Sequence, residues 1–278
     1  MLTSVVIPAK NAADQLLYTL FGFNLQYCAF EEFEVIVLDN TSTDATREKL
    51  SRFTAHFPLN YVQFRAKKPL AHLLNTGIQL ARGELIVFLA AQMIVPRSFI
   101  GVHQQAHEKA SHLVLLGQDR KRIYSVYEPG FSATQHAECQ LWLEQYPHVK
   151  RPHTLVETVP LLEESQIVNG LPFHIGLPCP IAQKRLAARE KYGAKLARHR
   201  SPWTLFDTQH VSLRRESLQK AGLFRELPRI EMERDLGKRL LKNGCQFQLD
   251  DKLTLLKQEC VQKRLGASSQ PTKKNRRA

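Results

Sequence analysis

The sequence predicts an α/β fold with a doubly wound, mainly parallel sheet, helices on both faces, and a C-terminal half in the same compact unit. Short apolar runs alternate with amphipathic stretches of helical length through residues 1–117, a pattern typical of parallel sheets. The chain has 278 residues, of which 43% are hydrophobic and 23% charged, so it can bury a sizeable core.

Strand and helix signals follow one another from the N-terminus. The first apolar run is stopped by Pro8, and Leu16 and Leu20 lie at helical spacing after it. Asp39 ends a second apolar run and is followed by turn residues and a helix start. The predicted elements are strands at Ser4–Pro8, Glu34–Asp39, Tyr61–Phe64, Glu84–Leu89 and His112–Gly117, with helices at Ala13–Cys28, Ala45–His56, Leu70–Ala81 and Pro96–Ala110.

Three loops at strand ends are expected to meet. They are Pro8–Asn11, Asp39–Asp44 and Ala90–Gln92, each of which follows a predicted parallel strand. In a doubly wound sheet, ligands bind outside the carboxyl ends of the strands. The sequence therefore predicts one crevice that these distant segments share.

The second half of the chain is less regular. Residues 118–200 combine amphipathic patches with several prolines, and the strand–helix pattern resumes over 203–257. We predict a first half at 1–117, a second half at 118–257 and a basic, disordered tail at 258–278.

The net charge of +13 is concentrated in two segments. Residues 181–200 carry seven cations and one acid, and residues 263–278 carry six cations and no acid. Such local basicity argues against a protein that coats nucleic acid. Segment 181–200 is explained by a solvated helix, by a lining for ligand phosphates, or by a peripheral contact with an anionic membrane to which the tail would add.

Several classes of protein are excluded by what the sequence lacks. No apolar run reaches the ~20 residues that cross a bilayer, and no GxG or Walker A glycine loop is present. The five cysteines show no CxxC spacing, which favours reduced thiols over a disulfide framework or a zinc site. The N-terminus lacks a basic signal region. We expect a cytoplasmic protein, with peripheral attachment at the inner face of the membrane as the alternative.

Four segments in order resemble the family 2 glycosyltransferases of the GT-A fold. The segments are Val5–Asn11, Val35–Asp44, Asn75–Glu84 and the stretch from Val211 to Leu240. The second is similar to the Val-Asp-Asp/Asn-x-Ser-Thr-Asp segment of that family. The resemblance implies a GT-A-like fold with a nucleotide-sugar-binding half at 1–117 and an acceptor-side half at 118–257. It also implies transfer of a sugar from a UDP-sugar donor to a hydroxyl of a glycan or another acceptor.

The resemblance implies a nucleotide site at the ends of the first strands. Asp39 would accept the N3 proton of a uracil ring, although a carboxylate here also caps the following turn. Asp44 is better explained as a helix N-cap. The residues assigned to nucleotide binding are Pro8, Ala9, Asn11, Asp39, Asn75 and Ala91.

The end of the fourth strand departs from the family. Family members usually place an Asp-x-Asp motif there, which holds Mg²⁺ or Mn²⁺ against the donor diphosphate. This chain has Ala90, Ala91 and Gln92, and it has Leu74 where the family often has arginine. A metal site made only of protein ligands is therefore not expected at this strand end.

Three explanations of this departure stay open. Cations replace the metal, with Lys67, Lys68 and those of Lys195–Arg200 as candidates. Alternatively, His199 or His210 helps hold a metal elsewhere, or transfer chemistry has been lost. A single histidine is more often structural than a ligand.

The acceptor-side half carries the candidate catalytic base. Inverting members of the family use a carboxylate just before a helix of the Asp-x-Gly-x-Arg-Leu kind, and that position falls on Glu233. Asp235 is the second choice, and acids that favour the helix dipole are the structural alternative. Trp203 and His210 are assigned to acceptor binding. Trp203 would stack on a sugar face, and a position in the core is its equal alternative.

The function predicted from these residues is that of an inverting, metal-independent glycosyltransferase. The alternative is a catalytically inactive relative that binds a nucleotide sugar, a glycan or a partner. The Asp39 segment and the carboxylates at 231–235 favour the enzyme, whereas Ala90–Gln92 and Leu74 favour the inactive relative.

Overall fold

The computed structural model describes residues 1–117, 119–180 and 183–261. The strands are β1 (Thr3–Ala9), β2 (Phe33–Asp39), β3 (Leu59–Gln63), β4 (Leu85–Leu89), β5 (Met93–Ile94), β6 (Leu113–Leu116), β7 (Asp119–Ile123), β8 (Val126–Tyr127), β9 (Val159–Pro160), β10 (Leu177–Pro178), β11 (His210–Arg214), β12 (Gln246–Leu249) and β13 (Thr254–Gln258). The helices are α1 (Ala13–Asn24), α2 (Thr46–Arg52), α3 (Leu70–Leu80), α4 (Phe99–Glu108), α5 (Ala133–Gln145), α6 (Glu164–Val168), α7 (Leu171–His174), α8 (Gln183–Tyr192), α9 (Arg215–Ala221) and α10 (Arg229–Lys242). Short 3₁₀ turns occupy Phe30–Glu32 and Pro202–Leu205.

The central seven-stranded sheet has the order β12-β6-β11-β4-β1-β2-β3. Strand β1 pairs in parallel with β2 and β4, and β12 pairs in parallel with β6. Strand β11 runs antiparallel to both of its neighbours, β4 and β6. The predicted α/β fold with a mainly parallel sheet is confirmed, and a strand from the second half of the chain lies inside the sheet of the first.

Both faces of the sheet are covered by apolar side chains. Along β1, Val6 packs into one core with helices α3, α9 and α10, while Val5 and Ile7 pack into another with α1 and α4. Because side chains alternate between the two faces of a strand, a strand covered on both faces is a continuous apolar run. This explains why the strands of the first half could be located from sequence.

Residues 119–180 form most of a smaller lobe, whose sheet has the order β10-β7-β13-β5 and takes β5 and β13 from outside this range. A third apolar core, centred on the buried ring of Trp142, fills this lobe. The Trp142 indole donates a hydrogen bond of 2.9 Å to the backbone oxygen of Ile175. The strands here are two to five residues long, which is why their periodicity is too brief to be recognised from sequence.

Several helix boundaries differ from the prediction. Helix α1 ends at Asn24, not Cys28, and α2 ends at Arg52, not His56. Phe53 follows α2 with an extended backbone, and its ring packs edge-on against Phe21 at 5.3 Å. The chain thus leaves the helix at the residue whose ring packs against α1.

The predicted tail begins too early. Gln258, the last residue of β13, is fully buried, and its amide bonds to Gln15 and Ser125. Glu259 is also buried and pairs with Arg122. Polar residues that resemble a tail in sequence are here satisfied by buried partners, so residues 258–261 belong to the fold. The rest of the predicted tail, 262–278, lies outside the described residues. Among those that are described, no helix is both long and apolar enough to span a bilayer.

Candidate active site

The loops after β1 and β2 lie side by side at one end of the sheet. Ala9 is opposite Asp39 in the β1–β2 register. The Asn11 backbone N–H donates to the hydroxyl of Ser42, and the Asn11 side-chain oxygen accepts from the backbone N–H of Thr43, both at 2.8 Å. The predicted meeting of these two loops is confirmed.

Strained backbone marks both loops. Asn11 has φ of 48° and Thr41 has φ of 60°, in the left-handed region. Asparagine tolerates this region, whereas a β-branched threonine there is an outlier. Such residues cost on the order of 1–3 kcal/mol each and gather at ligand-binding sites. The hydrogen bonds between the loops hold this conformation in place.

Asp39 is fully buried at the end of β2. One carboxylate oxygen accepts from the backbone N–H of Ser42 at 2.8 Å, and the other accepts from the Tyr61 hydroxyl at 2.5 Å. Burial, followed by the neighbouring Asp39 carboxylate, raises the pKa of Tyr61. The turn-capping role of Asp39 is therefore observed, and a uracil N3 proton would share an oxygen with Tyr61. Its contact with a base stays a prediction.

Tyr61 was missed from sequence. Its position becomes apparent only from the β2–β3 register, in which Tyr61 stands opposite Val37 and Gln63 opposite Asp39. In a strand whose side chains alternate between two faces, the sequence does not show which face borders a site and which faces solvent.

The loop after β4 lies at the same end of the sheet. Val6 is opposite Phe88 in the β1–β4 register, which continues toward Ala9 and Ala91. The Ala90 backbone N–H donates to the backbone oxygen of Gln209 at 3.0 Å. The segment before β11 therefore borders the loop in which the family usually has Asp-x-Asp.

Glu233 reaches this strand end from helix α10. Its side chain is buried, and one oxygen accepts from the Thr208 backbone N–H at 3.0 Å, the Thr208 hydroxyl at 2.6 Å and the Arg229 Nε at 3.1 Å. Thr208 precedes β11, whose first residue His210 stands opposite Leu89 of β4. A carboxylate thus lies beside the loop after β4, supplied by a helix rather than by the strand.

Two further charged residues complete the cluster. Asp207 pairs with Arg229 at 3.3 Å and with the buried Arg185 at 3.6 Å. Arg185 also donates to the backbone oxygens of Gly117 and Leu205. Asp207, Thr208 and Arg229 were not expected from the sequence to be site residues. One usable signal was present, since Arg229 precedes Glu233 by one helical turn.

Comparison with known proteins fixes the family. The family model of glycosyl transferase family 2 matches residues 4–161. The chain belongs to glycosyl transferase family 2. It is 33% identical over 263 residues to the uncharacterized glycosyltransferase YfnE of Bacillus subtilis (strain 168), covering 93% of this chain and 65% of that protein. It is 30% identical over 227 residues to a validoxylamine A glucosyltransferase of Streptomyces hygroscopicus subsp. jinggangensis (strain 5008), covering 81% of this chain and 47% of that one.

Solved structures show the same fold. TarS 1–349 of S. aureus in complex with UDP-GlcNAc aligns with a TM-score of 0.59 at 16% identity, covering 94% of this chain and 59% of that one. The mannosyltransferase PcManGT of Pyrobaculum calidifontis, in complex with GDP-Man and Mn²⁺, aligns with a TM-score of 0.57 at 17% identity, covering 94% and 57%. The GT-A fold predicted for this family 2 protein is confirmed. The chain spans about half to two thirds of the length of these relatives.

The residues after β4 do not fit a divalent cation of the kind that the family uses. Ala90 and Ala91 offer no side-chain ligand, and Gln92 offers one neutral oxygen. Within the described ranges, no group of three or more histidine, cysteine or acidic residues could hold a metal. Asp207, which borders this loop through Gln209, is already engaged by two arginines.

Asp235 lies on another side of α10 from Glu233. Its carboxylate accepts two hydrogen bonds from Arg239, at 2.7 and 3.0 Å, and one from Arg225 at 3.3 Å. Arg239 in turn donates to the backbone oxygens of Ala221 and Leu223. This geometry is that of a structural ion pair that fastens α10 to the end of α9.

Asn75 has a similar connecting geometry. Its amide nitrogen donates to the backbone oxygen of Phe224 at 2.8 Å, and its amide oxygen accepts from the Phe224 N–H at 3.0 Å. Both polar groups of the side chain thus join α3 to the segment after α9. Its predicted nucleotide contact stays a prediction.

His210 is fully buried and faces the core between α4 and β11. Its Nε2 lies 3.0 Å from the Nε2 of His103. In this conformation its ring contacts core residues, and the predicted contact of His210 with an acceptor stays a prediction. Pairing with Leu89 placed this residue inside the sheet, a position that its polar character did not indicate.

Trp203 is half-buried beside α10. Gly237 lies against it so closely that a Cβ there would come within 3.1 Å of Trp203. The Lys238 ammonium lies 4.4 Å from the ring centroid, a cation–π contact. The contact of Trp203 with an acceptor sugar stays a prediction.

Proposed function

We propose that this protein transfers a sugar from a nucleotide-sugar donor, UDP-linked, to an acceptor hydroxyl with inversion at the anomeric carbon. One observation carries the proposal: the Glu233 carboxylate, held by Thr208 and Arg229, lies beside the loop after β4. That loop shares its sheet end with the Asp39 segment. The arrangement supports a base and a nucleotide site on one crevice.

The chemistry follows from the carboxylate. Glu233 takes the proton of the acceptor hydroxyl as its oxygen bonds to the anomeric carbon. The bond from that carbon to the phosphate oxygen breaks, and the nucleoside diphosphate leaves with the electron pair. Because attack and departure occur on opposite faces, the configuration inverts.

The leaving diphosphate needs positive charge near it as the bond breaks. The loop after β4 lacks the side chains that would hold a hard cation. We therefore propose that basic side chains, and not a divalent metal, offset this charge.

Relatives named as a glucosyltransferase and as an amylovoran biosynthesis glycosyltransferase support a sugar donor and a glycan-type acceptor. A cytoplasmic site of action, with peripheral membrane contact through the basic segment 181–200, remains part of the proposal.

A second candidate function is nucleotide-sugar binding without transfer. Ala90 and Ala91 favour it, because they offer no side-chain ligand for a metal at the diphosphate. Both functions require binding of a nucleotide sugar, and only the first transfers the sugar to an acceptor.

Thermal unfolding with UDP, GDP and their sugar conjugates tests the proposal, each with Mn²⁺ and with EDTA. A ligand at a hundred times its Kd adds about 2.7 kcal/mol to the free energy of unfolding. We expect a rise in Tm with UDP compounds that EDTA does not remove. Absence of a shift with every nucleotide would overturn the donor site, and a shift that requires Mn²⁺ would overturn metal independence. Binding without sugar transfer to any hydroxyl acceptor would favour the second function.

A further inference from the structure

Arg229 is the first residue of α10 and contacts three polar residues beside the loop after β4. Its Nε donates to Glu233 at 3.1 Å, and its Nη2 donates to Asp207 at 3.3 Å and to the Thr208 hydroxyl at 3.4 Å. Asp207 and Thr208 directly precede Gln209, whose backbone oxygen accepts from the Ala90 N–H. The guanidinium therefore lies next to the loop where the family usually holds its metal.

One edge of the guanidinium remains available. The Nη1 of Arg229 donates no hydrogen bond within the described part of the chain, and the side chain is 42% exposed. Arginine presents a planar fork of donors that matches phosphate oxygens and stays charged at every physiological pH. An arginine held on one edge by carboxylates and open on the other is suited to receive an anion.

Three other sources of positive charge are less well placed than Arg229. Segment Lys195–Arg200 follows Ala194, whose backbone oxygen accepts from Leu249 of β12. Strand β12 is three positions from β4 in the sheet, which at the usual strand spacing is about 14 Å. Lys68 is tied to Asn40 at the end of β2, two positions from β4 on the other side. Arg185 is buried and already bonded to two backbone oxygens.

We propose that Arg229 binds the diphosphate of the nucleotide-sugar donor and supplies the positive charge that a metal ion would otherwise supply. This rests on the proposed function and names the residue that performs one part of it.

Calorimetric titration of the full chain with UDP and with uridine, both in EDTA, tests this proposal. Uridine shares the base and ribose of UDP but carries no phosphate. We expect Arg229→Gln to weaken UDP binding at least tenfold and to leave uridine binding unchanged. Arg229→Lys keeps the positive charge but not the planar fork of donors. Its UDP affinity should lie between that of the unaltered protein and that of Arg229→Gln. Arg234→Gln is the matched control, since Arg234 is exposed on the same helix and makes no ion pair within the described residues.

The outcomes separate the two proposals. Unchanged UDP affinity in Arg229→Gln would overturn the role of Arg229 while leaving the donor site in place. Equal losses for UDP and uridine would also overturn it, because they indicate general damage to the site. Failure of the unaltered protein to bind UDP would overturn the UDP donor and the Arg229 proposal together.

Discussion

His103 and His210 face each other through their Nε2 atoms, 3.0 Å apart, in the buried space between α4 and β11. Ser212 extends the contact, since its hydroxyl lies 2.8 Å from the other nitrogen of His103 and 2.9 Å from Nε2 of His107. Burial, followed by the neighbouring His107, lowers the pKa of His103 to about 3. Burial, followed by the nearby Arg214, lowers the pKa of His107 to about 4.

Acid is therefore expected to destabilise the fold. Both histidines are neutral when folded and have an ordinary pKa of about 6.5 when unfolded. Their contribution is fully present above about pH 6.5 and is lost as the pH falls from there toward about 4 for His107 and about 3 for His103, since the unfolded chain binds protons first. Each adds a slope of up to about 1.4 kcal/mol per pH unit. Urea unfolding between pH 7.5 and 4.5 measures this change in the free energy of unfolding with pH.

Two variants make the acid prediction specific. His103→Asn should reduce the slope, whereas His153→Asn should leave it unchanged, because His153 is exposed. A slope that is the same in all three proteins would show that other groups cause the acid sensitivity.

Gly117 leaves room for the His210 ring. A Cβ at this position would lie 1.7 Å from Nδ1 of His210. We expect Gly117→Ala to lower the free energy of unfolding by about 1–3 kcal/mol or more, the usual cost of overpacking. Gly101→Ala is the control, because a Cβ there meets nothing within 4 Å and alanine favours the helix by about 1 kcal/mol. Equal Tm values for the two variants would contradict the close packing.

Glu233→Gln tests the proposed base. The amide keeps an oxygen to accept from Thr208 but cannot take a proton, so kcat should fall by about 10²–10⁴ while UDP affinity is kept. Glu231→Gln, an exposed acid in the first turn of the same helix, should retain full activity. Steady-state kinetics with separate binding measurements distinguishes the two. An active Glu233→Gln would assign the base to another group.

Asp235→Asn tests the structural assignment of the second carboxylate. The change weakens bonds to Arg239 and Arg225, which fasten α10 to α9. Because the partners are partly exposed, we expect a loss of about 1–2 kcal/mol and a Tm lower by a few degrees. Activity per folded molecule should be retained. A variant with an unchanged Tm and no activity would instead make Asp235 catalytic.

The sequence placed the loops after β1 and β2 better than the charged residues beside the loop after β4. Apolar strands buried on both faces are readable, and the polar loops after them fall at strand ends, so the Asp39 and Asn11 segments could be placed together. The engagement of Glu233 by Thr208 could not be foreseen, because the two residues are 25 positions apart. The burial of His210 and the hydrogen-bond partners of Gln258 could not be foreseen either, because each depends on contacts between distant elements.

By itself, the sequence determined the α/β class, the order of the first strands and helices, and the absence of the usual metal-binding carboxylates after β4. These properties follow from side-chain periodicity and residue identity, which are local. Only the tertiary structure decided which charged residues stand beside that loop. Pairing of β11 with β4 brings Asp207 and Thr208 to the crevice, and α10 then adds Arg229 and Glu233. A contact between distant segments depends on the packing of whole elements, and no short stretch of sequence encodes it.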